Sequence, residues 1–215
     1  MRYTVYTMTG IAHISRQVNP QTTQARIFGA ARRLFDRDGL EGLSMRKLGD
    51  AVGLTPMAIY KHYSDKEALI DALMLDGFVA WEARVRRIRV KNPVGWVQVL
   101  LDNFLEFALS EPRRYEAAFL LPARKARQYP DDFSAGRSPV LNMVYARIEE
   151  AQAQGLVNGT SGVEIALHLS ALGQGLISMH RAGRFVSEKE FRATWRRAMD
   201  RALGSFFGIS PEEAP

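Results

Sequence analysis

Hydrophobic residues recur at helical spacing along most of the chain, and the strict alternation that marks β-strands is nearly absent. Residues 23–37 show the pattern first, because their apolar side chains fall on one face of a helix. These side chains are Ile27, Ala31, Leu34 and Phe35. Gly39 follows at the place where a left-handed residue would end the helix. The pattern therefore predicts an all-α protein that begins with an amphipathic helix.

Two short helices are predicted next, separated by a very short connection. Ser44 is a good N-cap for a helix that Gly53 ends, and Thr55 is a good N-cap for the helix that follows. Pro56 suits the first position of this third helix, where its missing N–H costs no hydrogen bond. A helix this short is stable only when neighbouring elements pack against it.

Six longer helices follow. Ser64 and Glu67 form a capping-box signature that opens a helix over about residues 65–89. Similar signatures begin at Ser161 and Ser187. The other helices are predicted over about 93–110, 113–127, 139–154, 162–182 and 188–207, with a loop at 129–137. The chain is thus expected to contain about nine helices.

The second and third helices are joined only by Gly53, Leu54 and Thr55, so they must cross sharply. Gly53 permits the positive φ that such a turn requires, and Gly49 leaves room where a larger side chain would collide with the next helix. Apolar side chains such as Leu54 and Ile59 can close a small wedge between the two helices. This arrangement is the helix-turn-helix, whose second helix presents its outer face to the DNA major groove. Because similar corners occur in helical proteins that bind no DNA, the spacing alone leaves both interpretations open.

The outer face of the third helix carries side chains that are suited to DNA. Thr55 and Tyr60 can donate hydrogen bonds to phosphate oxygens, whereas Met57 and Ala58 can contact thymine methyl groups. The start of the fourth helix is an anion-binding end, which Lys66 in its first turn would reinforce. The predicted DNA-contacting residues are Arg46, Lys47, Thr55, Pro56, Met57, Ala58, Tyr60, Lys61, His62 and Lys66.

The distribution of charge favours a nucleic-acid partner. Residues 1–91 contain 15 Lys and Arg and 9 Asp and Glu, whereas residues 92–215 contain 14 of each, so the net charge of +6 lies wholly in the N-terminal part. A basic module joined to a neutral one is typical of a protein that binds a polyanion. A chance distribution of surface charge is the alternative.

Other functional classes lack their usual signatures. The chain has no Cys, and it has no apolar run long enough for a membrane span or a secretory signal. The four His residues show no HExxH-like spacing, and no P-loop, dinucleotide-binding or G-x-S-x-G motif is present. We therefore expect a cytoplasmic protein that is not an enzyme and has no catalytic residue, metal site or cofactor.

The run from Ile27 to Ile70, IFGAARRLFDRDGLEGLSMRKLGDAVGLTPMAIYKHYSDKEALI, resembles the DNA-binding domain of the tetracycline-repressor (TetR) family. The similar elements are FDRDG at 35–39, SMRKLGDAVG at 44–53, AIYKHY at 58–63, Lys66 and Leu69. The resemblance implies that Tyr60 and Lys66 contact phosphates and that the face formed by residues 55–62 reads bases. Gly49 is a departure, because the family commonly carries alanine there.

The last two predicted helices carry regular apolar stripes. From the pattern alone, these stripes could pack within the same chain or against a second copy of it. The resemblance favours the second copy, because members of the family typically dimerise through their last two long helices. A dimer whose two helix-turn-helix domains lie about one turn of DNA apart would bind a near-palindromic operator. The predicted interface residues are Ile165, Leu169, Leu172, Leu176, Met179, Phe191, Trp195, Ala198 and Ala202.

In this family the helices between the DNA-binding domain and the dimer interface enclose a ligand cavity, and the resemblance implies the same here. Aromatic and Met side chains in that region suggest an apolar or aromatic effector. Each of them, taken singly, is more often part of an ordinary core. The predicted ligand-binding residues are Phe78, Trp81, Phe104, Phe107, Phe119, Met143, Tyr145, His168 and Gln174, with Tyr115 and His180 as further candidates.

These observations predict three segments: a flexible arm at residues 1–19, a helix-turn-helix domain at 20–64, and a helical effector-binding and dimerisation domain at 65–215. The hypothesis is a homodimeric, ligand-responsive repressor that a small molecule releases from operator DNA. Two alternatives stay open. One is a ligand-independent DNA-binding regulator or activator, and the other is a helical enzyme or small-molecule-binding protein.

Overall fold

The computed structural model describes residues 22–157 and 161–208, and within them the chain forms ten α-helices and no β-strand. The predicted all-α class is therefore confirmed. The predicted flexible arm lies outside the described residues. The helices are α1 (Thr23–Gly42), α2 (Met45–Val52), α3 (Pro56–Tyr60), α4 (Lys66–Val85), α5 (Pro93–Ser110), α6 (Pro112–Phe119), α7 (Asp131–Ser134), α8 (Pro139–Ala153), α9 (Gly162–Arg181) and α10 (Glu188–Phe207).

The chain divides into two compact units between Leu73 and Met74. This division lies later than the predicted one between residues 64 and 65, because the first residues of α4 belong to the N-terminal unit. In that unit α1 packs against α2, and α2 packs against α3. The side chains of Ile27, Leu48 and Ile59 have no exposed surface and form the centre of this small core. A helix-turn-helix corner thus sits on a dedicated core.

The C-terminal unit is built around α5, which packs against α6, α8, α9 and α10. Ten of its residues are buried, on more than one side of the helix. A helix that is apolar on most sides is buried, because no water-facing stripe remains. Its Phe104 and Phe107 join the large apolar core of the unit.

The end of α6 differs from the prediction of a helix over 113–127. The helix stops at Phe119, and Pro122 follows three residues later. Proline lacks a backbone N–H and disfavours helical backbone at the residue before it, so the helix cannot continue through this place. The short α7 lies inside the segment predicted as a loop, and it raises the number of helices from nine to ten among the described residues.

The caps of the helices are partly those predicted. Ser187 accepts a hydrogen bond from the backbone N–H of Glu190 at 3.2 Å. At α4, however, the carboxylate of Asp65 accepts from the N–H of Ala68 at 2.7 Å, so Asp65 rather than Ser64 caps the helix. Ser161 makes no capping hydrogen bond with its side chain. Asp is as good an N-cap as Ser, and adjacent candidates are hard to rank from sequence.

A charged network ties the end of α4 to the junction between α5 and α6. The carboxylate of Glu111 forms salt bridges with Arg84 at 2.7 Å and with Arg114 at 2.6 Å. Arg114 also forms a salt bridge with Asp76 at 3.3 Å. Burial alone would raise the pKa of Glu111, but hydrogen bonds from Arg114 and Arg84 hold that pKa below its ordinary value. The network is therefore sensitive to acid.

Among the described helices, none is both long and apolar enough to cross a lipid bilayer. The same residues contain no group of three or more His, Asp or Glu side chains placed to hold a metal ion.

Candidate nucleic-acid interface

The turn between α2 and α3 is tight, and glycines occupy both of its key positions. Gly53 has φ 69° and ψ 36°, a left-handed conformation that glycine adopts without steric cost. The N–H of Leu54 donates to the carbonyl of Gly49 at 3.0 Å. A Cβ atom on Gly49 would lie only 2.6 Å from the Leu54 carbonyl oxygen. The predicted need for space at Gly49 is thus confirmed.

The third helix is short and is held by one side chain. Thr55 caps it by accepting from the N–H of Ala58 at 3.3 Å, and Pro56 occupies its first turn. Ile59 is the one residue of α3 that is buried, and it has no exposed surface. Since so short a helix is not stable in isolation, its orientation depends on the packing of Ile59.

Most of the other side chains of α3 and its immediate flanks are exposed to solvent. Met57 is 72% exposed and Tyr60 is 45% exposed, which is unusual for large apolar side chains. Ala58 is partly buried. The predicted contact residues that are exposed beside them are Thr55, Pro56, Lys61 and His62. The structure therefore leaves these predicted contact residues accessible to solvent, and their contact with bases stays a prediction.

Three of the predicted DNA contacts are cations in α2 or directly after α3. Arg46 and Lys47 lie in the first turn of α2, where Ser44 caps the helix by accepting from the N–H of Lys47 at 3.2 Å. Lys61 directly follows α3. Within residues 22–157 and 161–208, none of these three cations forms an ion pair, so their charge is available to a polyanion.

Lys66 is placed differently from the prediction of an outward-facing phosphate contact. Its ammonium group donates to the backbone carbonyl of Leu40, near the end of α1, at 3.1 Å, and the residue is partly buried. The phosphate contact stays a prediction, and it would require the ammonium group to share or leave this carbonyl.

Arg26, which the sequence did not single out, also supports the corner. Its guanidinium donates to the carbonyl of Val52 at the end of α2 at 3.0 Å. Because the two residues are 26 positions apart, no local pattern signals the contact. Arg26 also lines an open groove of about 500 Å³ between α1 and α2, together with Arg32 and Arg33. This groove adds positive charge to the N-terminal unit.

In the C-terminal unit, the predicted effector residues form one connected cluster of aromatic rings. Phe119 contacts Phe78 at 5.3 Å and Phe104 at 5.1 Å between ring centres, and Trp81 contacts Phe104 at 5.3 Å. We call this set the aromatic cluster; its members are Phe78, Trp81, Phe104, Phe107, Tyr115 and Phe119. Edge-to-face contacts dominate it, as expected from ring quadrupoles.

The other predicted effector residues are less closely grouped. Met143 and Tyr145 are partly buried against the core of the unit, and Gln174 is partly buried on α9. His168 is exposed, with Nδ1 2.7 Å from the Glu164 carbonyl oxygen and its ring against Phe206. No ring of the aromatic cluster contacts His168 among the described residues, so the structure does not bring it into this group.

Two buried polar atoms in the same unit have no hydrogen-bond partner among the described residues: the hydroxyl of Tyr115 and the indole nitrogen of Trp195. Burial raises the pKa of Tyr115 well above its ordinary value. Buried polar groups without partners are rare in proteins, and they often mark a place where a ligand or water binds. Tyr115 belongs to the aromatic cluster, which gives that cluster a polar centre.

The predicted dimer-interface residues fall on two sides of α9 and α10. Four of them pack within the core of their own chain, with at most 3% of their surface exposed; they are Ile165, Leu169, Phe191 and Trp195. Met179 is 49% exposed, and Leu172, Leu176, Ala198 and Ala202 are partly buried. Leu167, which the stripe omitted, is 44% exposed. Within α9, Leu167 and Met179 are thus the large apolar side chains that stay exposed, and the dimer interface stays a prediction.

Two family models match this chain. Residues 27–73 match the model for bacterial regulatory proteins of the tetR family. Residues 97–202 match the model for a tetracyclin repressor-like C-terminal domain. The first match covers the corner described above, and the second covers most of the C-terminal unit.

Among curated proteins, the chain is similar to AcnR, an HTH-type transcriptional repressor from Corynebacterium glutamicum. The two are 34% identical over 97 residues, which are 45% of this chain and 46% of AcnR. Across the curated relatives, the chain spans about a third to a half of their length.

Solved structures share the fold. A protein of unknown function from Rhodococcus sp. RHA1 has a TM-score of 0.71 and 22% identity, over 89% of this chain and 99% of that one. A TetR variant from Acinetobacter baumannii, in complex with minocycline, has a TM-score of 0.61 and 18% identity, over 86% of this chain and 95% of that one. Because the N-terminal match at 27–73 and the C-terminal match at 97–202 are to models of one family, the chain belongs to the tetR family of bacterial regulatory proteins.

Proposed function

We propose that this protein is a transcriptional repressor that binds near-palindromic operator DNA as a homodimer and is released by a small-molecule effector. The observation that carries the proposal is the exposure of α3, which buries Ile59 alone and leaves Met57 and Tyr60 facing solvent. A helix held in this way at a sharp corner can enter the major groove. The similarity to AcnR, which is named an HTH-type transcriptional repressor, supports the same role.

The charges are consistent with this role. Arg46 and Lys47 in α2 and Lys61 directly after α3 are unpaired among the described residues, and we expect them to meet the DNA backbone on either side of the bases. Phosphate contacts of this kind position a protein on DNA, whereas contacts from Met57 and Ala58 would specify the sequence.

Dimerisation is supported by an apolar surface on α9. Leu167 and Met179 are each more than two-fifths exposed at opposite ends of this surface. Between them lies Gly175, where an added Cβ would meet no atom within 4 Å. Small residues on an exposed helix face allow a second helix to approach closely. We predict that this surface pairs with its copy.

Response to an effector is supported by the aromatic cluster and its unsatisfied Tyr115 hydroxyl, since mostly apolar sites with few polar groups are typical for small molecules. The fold-related Acinetobacter protein was solved with minocycline. For release from DNA, the effector must bind the DNA-free state more tightly, because equal affinity for both states shifts no equilibrium.

A gel-shift titration with the DNA upstream of the protein's own gene tests the proposal. We expect saturable binding to a near-palindrome, with an affinity that falls steeply as salt rises. Absent or salt-insensitive binding would contradict the proposal and favour a helical small-molecule protein or enzyme. Binding that no metabolite in a broad panel releases would favour the ligand-independent regulator.

The dimer has its own test. Met179→Glu places a charge on the proposed interface, and Val186→Glu is the matched control on a fully exposed residue outside it. Light scattering should show monomers for the first variant and wild-type dimers for the second. A dimer that withstands Met179→Glu would place the interface elsewhere.

A further inference from the structure

The segment after α6 places one arginine at the edge of the aromatic cluster. Arg127 is partly buried, and its guanidinium carbon lies 4.8 Å from the centre of the Phe78 ring. Its Nε donates to the backbone carbonyl of Arg137 at 2.8 Å. Its two NH2 groups have no hydrogen-bond partner within the part of the chain that the structure describes. A strong hydrogen-bond donor is thus left available beside an apolar surface.

Other arginines of this unit that stack over aromatic rings have counter-charges. Arg147 lies 5.6 Å from the centre of Trp96 and pairs with Glu150 at 2.7 Å. Arg84 lies 5.5 Å from the centre of the Phe107 ring and pairs with Glu111 at 2.7 Å. Arg127 forms no ion pair with any described residue. An arginine in this unit can therefore stack on a ring and still pair with a carboxylate, so stacking does not explain why Arg127 has no such partner among the described residues.

The carboxylates near Arg127 are engaged elsewhere. Glu82 pairs with Arg86 at 2.6 Å, and Asp132 pairs with Arg137 at 2.6 Å. Burial lowers the pKa of Arg127, and the more distant Asp132 and Glu82 offset this effect in part. A partly buried cation without a direct partner is unfavourable, and a bound anion would remove that cost.

The rings next to Arg127 lead to a second unsatisfied group. Phe78 contacts Phe119, and Phe119 contacts Tyr115 at 5.2 Å between ring centres. The Tyr115 hydroxyl is the buried atom without a partner described above. A molecule lying along these rings would meet a cation at one end and a neutral hydrogen-bonding group at the other.

We propose that the effector is an apolar or aromatic anion, whose charged group binds Arg127 and whose body lies against Phe78 and Phe119. This inference rests on the proposed effector-responsive function. A guanidinium binds the planar oxygens of carboxylates and related anions through paired, charge-assisted hydrogen bonds. A cationic effector would instead be repelled by Arg127. For the anion to bind, the guanidinium has to rotate or lift so that its NH2 groups face the ligand.

Two fluorescent dyes provide a direct test. 8-Anilinonaphthalene-1-sulfonate is an aromatic anion, and N-phenyl-1-naphthylamine has the same ring skeleton without the sulfonate. Each is titrated into the full-length protein. We expect Arg127→Gln to weaken binding of the anionic dye by about tenfold or more, as for loss of a charged hydrogen bond, and to change the neutral dye by less than about twofold.

Two further variants separate a binding role from a structural one. Arg147→Gln removes an arginine that also stacks on a ring but is already paired, and it should leave both dyes unaffected. Arg127→Lys keeps the charge but loses the paired hydrogen bonds, so its affinity for the anion should lie between those of wild type and Arg127→Gln. An equal loss of both dyes in Arg127→Gln, no loss of either, or no saturable binding of the anionic dye by wild type would each overturn the inference.

The failure of this inference is distinguishable from failure of the proposed function. Dye binding is measured without DNA, and the gel shift of Arg127→Gln is measured without dye. If the variant binds DNA as wild type does but keeps its affinity for the anion, the effector class is wrong and the regulator stands. If neither wild type nor variant binds DNA, the proposed regulator is wrong, whatever the dyes show.

Discussion

Lys61→Ala gives the sharpest test of how the N-terminal unit meets DNA. Lys61 follows α3 directly, is exposed, and has no ion pair among the described residues, so its whole charge is available to a phosphate. Each phosphate contact contributes about 0.9 to the slope of log affinity against log salt. A dimer carries two copies of Lys61, so the variant should flatten this slope by about 1.8. Raising salt from about 50 to about 200 mM should then cost wild type about twelvefold more affinity than the variant.

The assay is fluorescence anisotropy with one labelled operator at a series of salt concentrations. Lys189→Ala is the matched control, because Lys189 is also exposed but lies in α10, in the other unit. It removes the same charge and should leave the slope unchanged. If Lys61→Ala kept the wild-type slope, or if both variants flattened it equally, the charge at the corner would not contact the backbone.

Further predictions concern stability. Lys66→Ala should destabilise the protein by about 1–3 kcal/mol in urea unfolding, because the Leu40 carbonyl loses a charged partner; unchanged stability would refute this, and a flatter salt slope would show an added phosphate contact. Ile59→Ala should cost the N-terminal unit about 2–5 kcal/mol, whereas the exposed control Met57→Ala should cost less than about 0.5 kcal/mol. Glu111→Gln should lower the melting temperature at about pH 7. Because the arginine partners of Glu111 depress its pKa, its contribution is present above the unfolded pKa and is lost as pH falls through the folded pKa, so the difference in melting temperature should shrink on acidification. A difference that does not shrink as pH falls would assign the effect to packing instead.

The helix-turn-helix corner could be predicted from sequence because its signals are local. Gly53 at the turn, Thr55 at the cap and Ile59 on the inner face each act within a few residues of chain, and the structure places all three as predicted. The end of α6 has an equally local signal in Pro122, although the helix predicted over 113–127 runs through this residue. The steric rule of proline overrides periodicity at such places.

The C-terminal unit was less predictable, because its important contacts join distant parts of the chain. The stripe Ile165, Leu169, Leu172 on α9 has regular spacing, yet spacing alone does not show which side faces the core. Arg127 and Phe78 are far apart in sequence and carry no shared motif, so their stacking becomes visible only when the fold is known. The aromatic residues of the cluster could thus be identified from sequence, but the charge beside them could not.

The single buried side chain of α3 has an evolutionary consequence. Ile59 and the cap at Thr55 hold this helix, so its exposed side chains, Met57 and Tyr60, contribute little to the protein's stability. Substitutions at Met57 or Tyr60 can therefore accumulate without unfolding the chain. Under the proposed function, a duplicated gene could acquire a new operator through a few changes on α3 without any change in its C-terminal unit. The same separation makes these positions suitable for a randomised library that seeks repressors of chosen DNA sequences.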